Sequence, residues 1–311
     1  GKSATMGLAA AVGLGRGDAE GIREYFDGKV VWVTGASGGF GEALCVALAG
    51  GARLRGLILS ARRETELERV RGRCLELCPG LGAAVLALDL ADVGSLAARA
   101  ESAQGLFGPI DVLINNGGVG FRGLGVETSV EVDRRVMDVD FFSGVALTKA
   151  LLPAWVAAGR GHVVQVSSVQ AFFGLPGRTA YAAAKHAARG FYDALRAEVA
   201  DQGVAVTNVC PGYIATDHSR NAAKGEGVKY PEGHTSKGTP PEVLAPKVLA
   251  AVARGAPEVV PAAADARLAR LLRILFPRLL FWIMRKRARK EARQRAEWLT
   301  QQGGGDKPKA A

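Results

Sequence analysis

The chain has 311 residues, enough for one large domain or two small ones, and its 48% hydrophobic content excludes a disordered or fibrous protein. Its formal charge is +10, but residues 265–311 hold 13 Lys/Arg against 4 Asp/Glu and carry +9 of it. The basic balance therefore belongs to the tail, and overall charge is no ground for a nucleic-acid-binding reading.

Residues 1–27 are rich in Gly and Ala and weakly periodic, which predicts a mobile arm with a short helix at 19–26. Val30-Val31-Trp32-Val33-Thr34 is an apolar, β-branched run and reads as a buried strand. It runs into Gly35-Ala36-Ser37-Gly38-Gly39-Phe40-Gly41 and then a helical pattern at 42–49. A glycine-rich turn between strand and helix lets backbone N–H groups approach a pyrophosphate and aims the helix N-terminus at its charge. The spacing Gly35, Gly39, Gly41 is looser than the two-early-glycine fingerprint, so the turn alone is a moderate signal.

A second strand at 54–60 ends in Ser60-Ala61-Arg62-Arg63. No acidic residue stands there to take a ribose 2′-hydroxyl, and two arginines do stand there. That favours a 2′-phosphate, hence NADP(H); the alternative is that Arg62 and Arg63 are solvated residues opening the helix at 64–78. A third strand at 83–88 ends at Asp89, and a helix at 92–107 has Asp92 as its cap. A fourth strand at 111–114 closes in Asn115-Asn116-Gly117-Gly118, a turn or a backbone brought close to a ligand. Helix 129–158, strand 162–166 with Ser167-Ser168, helix 179–201, strand 204–209 with Cys210-Pro211-Gly212, a polar stretch at 213–239, helix 241–254 and strand 258–260 complete the domain. Apolar strands alternating with helices predict an α/β fold, a doubly wound parallel sheet with its ligand beyond the carboxyl ends of the strands. Every turn singled out above lies at such an end. The four cysteines show no metal spacing and read as reduced thiols in a reducing compartment.

Tyr181-Ala182-Ala183-Ala184-Lys185 places a phenol and an ammonium one helical turn apart. A free tyrosine has a pKa of about 10. An ammonium about 4 Å away, at an effective dielectric of about 20, contributes about 4 kcal/mol toward phenolate, roughly three pKa units. That predicts a depressed Tyr181 pKa and an acid/base group usable near neutral pH.

With the motifs at 34–41, Asn115–Gly118, Ser168, Tyr181/Lys185 and Pro211-Gly212 in this order, residues 29–260 closely resemble the short-chain dehydrogenase/reductase family. The wording at 145–153 and 210–216 is most similar to its member-seven group, above all the B form. That group is membrane-associated, acts on lipid-like carbonyls, and in its B form is linked to reduction of acyl- or alkyl-dihydroxyacetone phosphate. The resemblance implies Tyr181 as general acid in ketone reduction, Ser168 on the carbonyl oxygen, and Lys185 on the nicotinamide ribose. It implies Gly35, Ser37, Gly39, Phe40 and Gly41 around the pyrophosphate, Arg62 at the 2′-phosphate with Arg63 beside it, and Asp89 at the adenine. Asn116 would flank the adenosine ribose, and Ile214 and Thr216, after Pro211 and Gly212, would meet the carboxamide. It also implies a homo-oligomer face on helices 129–158 and 179–201.

Two departures stand out. Asp140 occupies the place of the family's usual asparagine, keeping an acceptor, losing the amide donor and adding a charge near Lys185. Either the backbone suffices there, or the enzyme is slowed, pH-shifted or disabled. Gly38 stands where NADP-users often carry a basic residue, so NADP preference leans on Arg62 and Arg63.

No uninterrupted run of about 20 apolar residues, the length that spans a bilayer, stands out. In the tail, Leu268, Leu271, Leu272 and Leu275 fall on one helix face, Pro277 restarts the helix, and residues 279–284 are apolar on all sides. Residues 285–295 then hold seven basic residues and one acid. Apolar residues with Trp282 followed by a cationic helix suit a bilayer surface, which predicts a peripheral membrane contact through 268–295 on the reducing side. The alternative is that the leucines cover the substrate cleft or a partner subunit. No aromatic-interleaved basic pattern supports nucleic acid.

The sequence thus predicts three parts: the arm at 1–27, an NADP-binding domain at 28–264, and an apolar/basic helical tail at 265–311. It predicts an NADPH-dependent reductase of a lipid-like or hydrophobic ketone, with 213–239 as substrate lid. The cations His218, Arg220, Lys224, Lys229, His234 and Lys237 there favour an anionic headgroup or are simply solvated. The competing readings are an NADP-binding membrane scaffold disabled by Asp140, and a retinoid or steroid alcohol dehydrogenase.

Overall fold

A computed structural model of the chain describes residues 15–216 and 238–303. Fully burying one Val, Leu or Ile side chain contributes about 1.5–3 kcal/mol, so unbroken apolar runs are driven between two layers. β1 (Val30–Thr34), β2 (Gly56–Ser60), β4 (Val112–Asn115), β5 (Gly161–Val166) and β6 (Val204–Val209) are such runs, with β3 (Ala83–Val85) and β7 (Glu258–Val259) short at the two edges. They form one parallel sheet in the order β3-β2-β1-β4-β5-β6-β7. Val31 and Val33 face one helical layer and Val30 and Trp32 the other.

The first layer contains α1 (Arg16–Phe26), α2 (Gly39–Gly51), α3 (Glu64–Leu77) and, later in the chain, helix Pro241–Ala253. The second contains α4 (Leu96–Phe107), α6 (Ser143–Ala158) and α7 (Thr179–Glu198). α5 (Val130–Met137) leads into α6 through a π-turn at Asp138–Phe142. Numbering the remaining helices in order, Pro241–Ala253 is α8, and the tail forms α9 (Ala264–Leu275) and α10 (Pro277–Gly303).

Several expectations change in detail. Within the expected arm, residues 16–26 form a helix that buries Ile22 and Phe26 in the first layer, while residues 1–14 lie outside the described part. Asp92 makes no side-chain cap. The regular strand expected over 83–88 ends at Val85, although Leu86 and Leu88 still donate to the carbonyls of Leu59 and Ala61. Helix 130–158 is long and apolar enough to cross a membrane by length and composition, a candidate the apolar-run criterion passes over. It covers the sheet through Ser143, Gly144, Leu147, Thr148, Leu151 and Trp155, and Lys149 on its other side is exposed. The six cations of the expected lid lie outside the described residues.

The tail helix restarts at Pro277 as expected. Leu268, Leu271, Leu275, Leu279, Phe281 and Trp282 are exposed, whereas Leu280 is buried. Arg270 bridges to Glu258 at 2.9 Å and Arg295 to Glu127 at 2.8 Å, so both tail helices are tied to the domain.

Candidate active site

At the end of β1 the chain turns on Gly35, whose φ of +67° is in the left-handed region. The Thr34 hydroxyl accepts from the N–H groups of Asn116 and Gly117, both at 3.0 Å. The Asn116 amide donates in return to the Thr34 carbonyl at 3.0 Å. These bonds join the turns after β1 and β4. A Cβ at Gly41 would stand 2.2 Å from the Gly35 carbonyl oxygen, so the turn has no room for a larger residue there. The N-cap of α2, Gly38, offers no side-chain cap, which leaves the first helical amides for an external anion. Thr216 closes this space from the far side; a Cβ on Gly39 would come 3.1 Å from its methyl. Phe40 is buried under α2, and Ser37 accepts from Arg63 Nη2 at 3.3 Å. Arg62 is exposed in the same bend and Asp89 exposed after β3, where its carboxylate accepts from the Ala91 N–H at 3.0 Å. The glycine cradle and the uncapped helix fit the pyrophosphate of a nicotinamide dinucleotide.

The second half of the site stands on β5, β6, α7 and the π-turn. Ser168, nearly buried, hydrogen-bonds to the Tyr181 phenol and also accepts from the Gln170 N–H at 3.2 Å. Its segment is tied to the turn after β6, where the Pro211 carbonyl accepts from the Val169 N–H at 3.0 Å. Gly212 donates to Pro261 at 3.2 Å, and Ile214 bridges to Thr239. Lys185 is buried, with its ammonium 5.3 Å from the centre of the Tyr181 ring.

Asp140 lies on the π-turn. One carboxylate oxygen accepts from the Val119 N–H at 2.7 Å. The other is 3.6 Å from Lys185 Nζ and has no hydrogen-bond partner. Burial pushes this carboxyl above the usual range, against the pull of Lys185 and the Val119 amide. Burial would lower Lys185, but the negative charge of Asp140 3.6 Å away, with smaller contributions from Tyr181 and Cys210, raises it overall, so it stays an ammonium. Tyr181 is raised, not lowered as the Tyr/Lys spacing predicts. Desolvation outweighs Lys185, Asp140 adds to the rise, and Ser168 and Arg178 oppose it. The pairwise Coulomb argument fails because it leaves out both burial and the second charge.

The structure thus brings Ser168, Tyr181, Lys185 and Asp140 together at one place, and Gly35, Ser37, Gly39, Phe40, Gly41, Arg63, Asn116 and Thr216 around the turn. Other groups take roles that the motifs do not assign. Asn115 donates to the Gly144 carbonyl, Thr148 and Tyr192 at 3.1–3.2 Å and holds β4 against α6 and α7. The Val119 amide acts on the site through Asp140, 21 residues on, and Arg178 acts on Tyr181 from three residues before it.

A family model described as short chain dehydrogenase matches residues 29–227. The chain belongs to the short-chain dehydrogenase/reductase family. Among its relatives, a dehydrogenase/reductase SDR family protein 7-like of Anopheles gambiae is 45% identical over 273 residues, covering 86% of this chain and 85% of that protein. Dehydrogenase/reductase SDR family member 7B of Bos taurus is 43% identical over 281 residues, covering 88% and 86%. Among solved structures, a metagenomic short-chain oxidoreductase in complex with NADP is 28% identical with a TM-score of 0.62, over 77% of this chain and 99% of that one. A short-chain dehydrogenase from Streptomyces avermitilis is 26% identical with a TM-score of 0.65, over 90% and 98%. This short-chain dehydrogenase/reductase is an NAD(P)-dependent oxidoreductase, close to the member-seven B group.

Proposed function

We propose that the chain is an NADPH-dependent reductase of the carbonyl of a hydrophobic, lipid-like ketone, of the acyl- or alkyl-dihydroxyacetone phosphate kind. The observation that carries this reading is the Tyr181 phenol, bonded to Ser168 with the Lys185 ammonium beside its ring. Arg63 at the glycine turn and the lack of an acid at the end of β2 support NADP(H) over NAD(H).

NADPH, when bound, supplies the hydride. Ser168 donates a hydrogen bond to the carbonyl oxygen, and Tyr181 gives that oxygen its proton, leaving an alcohol and a phenolate. Lys185 stabilises the phenolate, and Asp140 holds Lys185 in place. The raised Tyr181 pKa keeps the phenol protonated, which suits an acid in reduction better than a base in oxidation. The exposed apolar face of α9 and α10 with its flanking cations supports peripheral contact with a membrane, where such a ketone would partition.

The test is NADPH consumption with a panel of ketones in the presence of lipid vesicles. Tyr181→Phe should lower kcat by about 100- to 10,000-fold. Equal turnover by that variant sinks the reading. A silent wild type with an active Asp140→Asn variant would establish instead a cofactor-binding protein held off by its buried carboxylate.

A further inference from the structure

Arg178 acts on the Tyr181 phenol, and Arg122 acts on Arg178. Arg122 follows the buried Phe121, and Arg178 immediately precedes α7. Their backbones run side by side: Gly123 bridges to Arg178, the Gly123 N–H donates to Gly177 at 3.2 Å, and Arg178 Nη1 donates to the Phe121 carbonyl. Arg122 Nε is enclosed without a hydrogen-bond partner, and among the described residues neither guanidinium forms an ion pair. Other partly buried arginines are matched: Arg189 and Arg270 by Glu258, Arg196 by Asp193, Arg295 by Glu127.

A third guanidinium arrives from the tail. Arg287 hydrogen-bonds to Tyr213, whose phenol also acts on Arg178, and pairs with Glu291 at 2.7 Å. Glu291, which also acts on Arg178, is thus one carboxylate against three guanidinium charges. Burial, then the charge of Arg122, push Arg178 down to about 10 against the pull of Tyr213, Tyr181 and Glu291, a cost that an anion between the two arginines would relieve further.

We propose that Arg122 and Arg178 form a subsite for an anionic group, phosphate or carboxylate, carried by the ketone that Tyr181 protonates. The proposal rests on the reductase reading only for the ligand being the substrate. Three residues along a helix advance about 4.5 Å, so Arg178 stands about one turn from Tyr181.

The test measures binding, not turnover, on the full chain saturated with NADP, so that the cofactor's own phosphate site is filled. The probes are dodecyl phosphate, dodecanoate, dodecanol and glycerol phosphate, by calorimetry. Wild type should bind dodecyl phosphate or dodecanoate about tenfold or more tighter than dodecanol. Preference between the two anions names the acid group. Binding of glycerol phosphate as tight as dodecyl phosphate would point to a free, not a lipid, anion. Arg122→Gln should remove the preference for the charged probe, and Arg178→Lys should weaken it. Arg122→Met serves if the first variant melts early. A double variant of the tail, Arg285→Gln with Lys286→Gln, should keep the preference.

Equal binding of dodecyl phosphate and dodecanol, a preference that survives both arginine variants, or a preference lost only in the tail variant overturns the proposal. Anion-selective binding without reduction of any ketone would leave the subsite standing and sink the reductase. Reduction of a neutral ketone without anion preference would do the reverse.

Discussion

At His162 two hydroxyls decide which ring nitrogen holds the proton. Thr207 donates to the Ala256 carbonyl at 2.7 Å, so it accepts from Nε2 at 2.9 Å, and Nδ1 accepts from the Tyr25 hydroxyl at 2.6 Å. Burial, then the charge of Lys29, lower this histidine to about 4. The unfolded chain takes the proton near 6.5, so between 6.5 and 4 it binds more protons than the folded one. The stability involved is fully present above 6.5 and lost as pH falls toward 4, about 3 kcal/mol in all. Urea unfolding at pH 7 and pH 4 should show a smaller drop for His162→Gln than for wild type; parallel drops would refute the assignment. Tyr25 and His162 are 137 residues apart, which is why periodicity in residues 1–27 shows only a weak arm. The rise of Tyr181 was hidden in the same way: the spacing to Lys185 is local, but Asp140 and the burial come from elsewhere in the chain.

Elements were easier to read than their partners. The strands are apolar runs closed by turn residues, and in a parallel sheet their carboxyl ends must share one edge, so the site's location followed from order alone. The π-turn at Asp138–Phe142 was not legible, because a single wide turn inside a helix has no composition signal of its own. The helix α2 depends on the close approach of its first turn to Gly35. Gly41→Ala would force a Cβ against that carbonyl, costing about 1–3 kcal/mol of stability. It should also weaken NADPH binding about tenfold or more, as the backbone amides shift from a bound phosphate. Gly72→Ala in α3, where a Cβ meets nothing within 4 Å, should instead stabilise by about 0.5–1 kcal/mol. Thermal unfolding with fluorescence titration of NADPH checks both; wild-type affinity in Gly41→Ala would count against the cradle.

For the molecule as a whole, charge and apolar surface are segregated. The tail holds nearly all the net charge, and its exposed Phe281 and Trp282 lie beneath cations: Arg273 is 5.2 Å from the Phe281 ring and Lys286 3.7 Å from the Trp282 ring. The full chain should sediment with anionic vesicles, less so as salt rises, and Phe281→Ser with Trp282→Ser should cut that binding severalfold. Salt-independent binding, or none, would leave the face for another occupant. The order of the sheet has a further consequence, for the time at which the protein matures. β1 is synthesised first but lies in the middle, and its edge toward β4 stays open until that strand has been made. The Thr34 hydroxyl meets its Asn116 partner 82 residues later, so the nucleotide turn is assembled by a long loop closure and not by local folding. A nascent chain stalled before residue 112 would present Val30–Thr34 as an unpaired apolar edge. During translation, then, the centre of the finished sheet is the part most in need of protection.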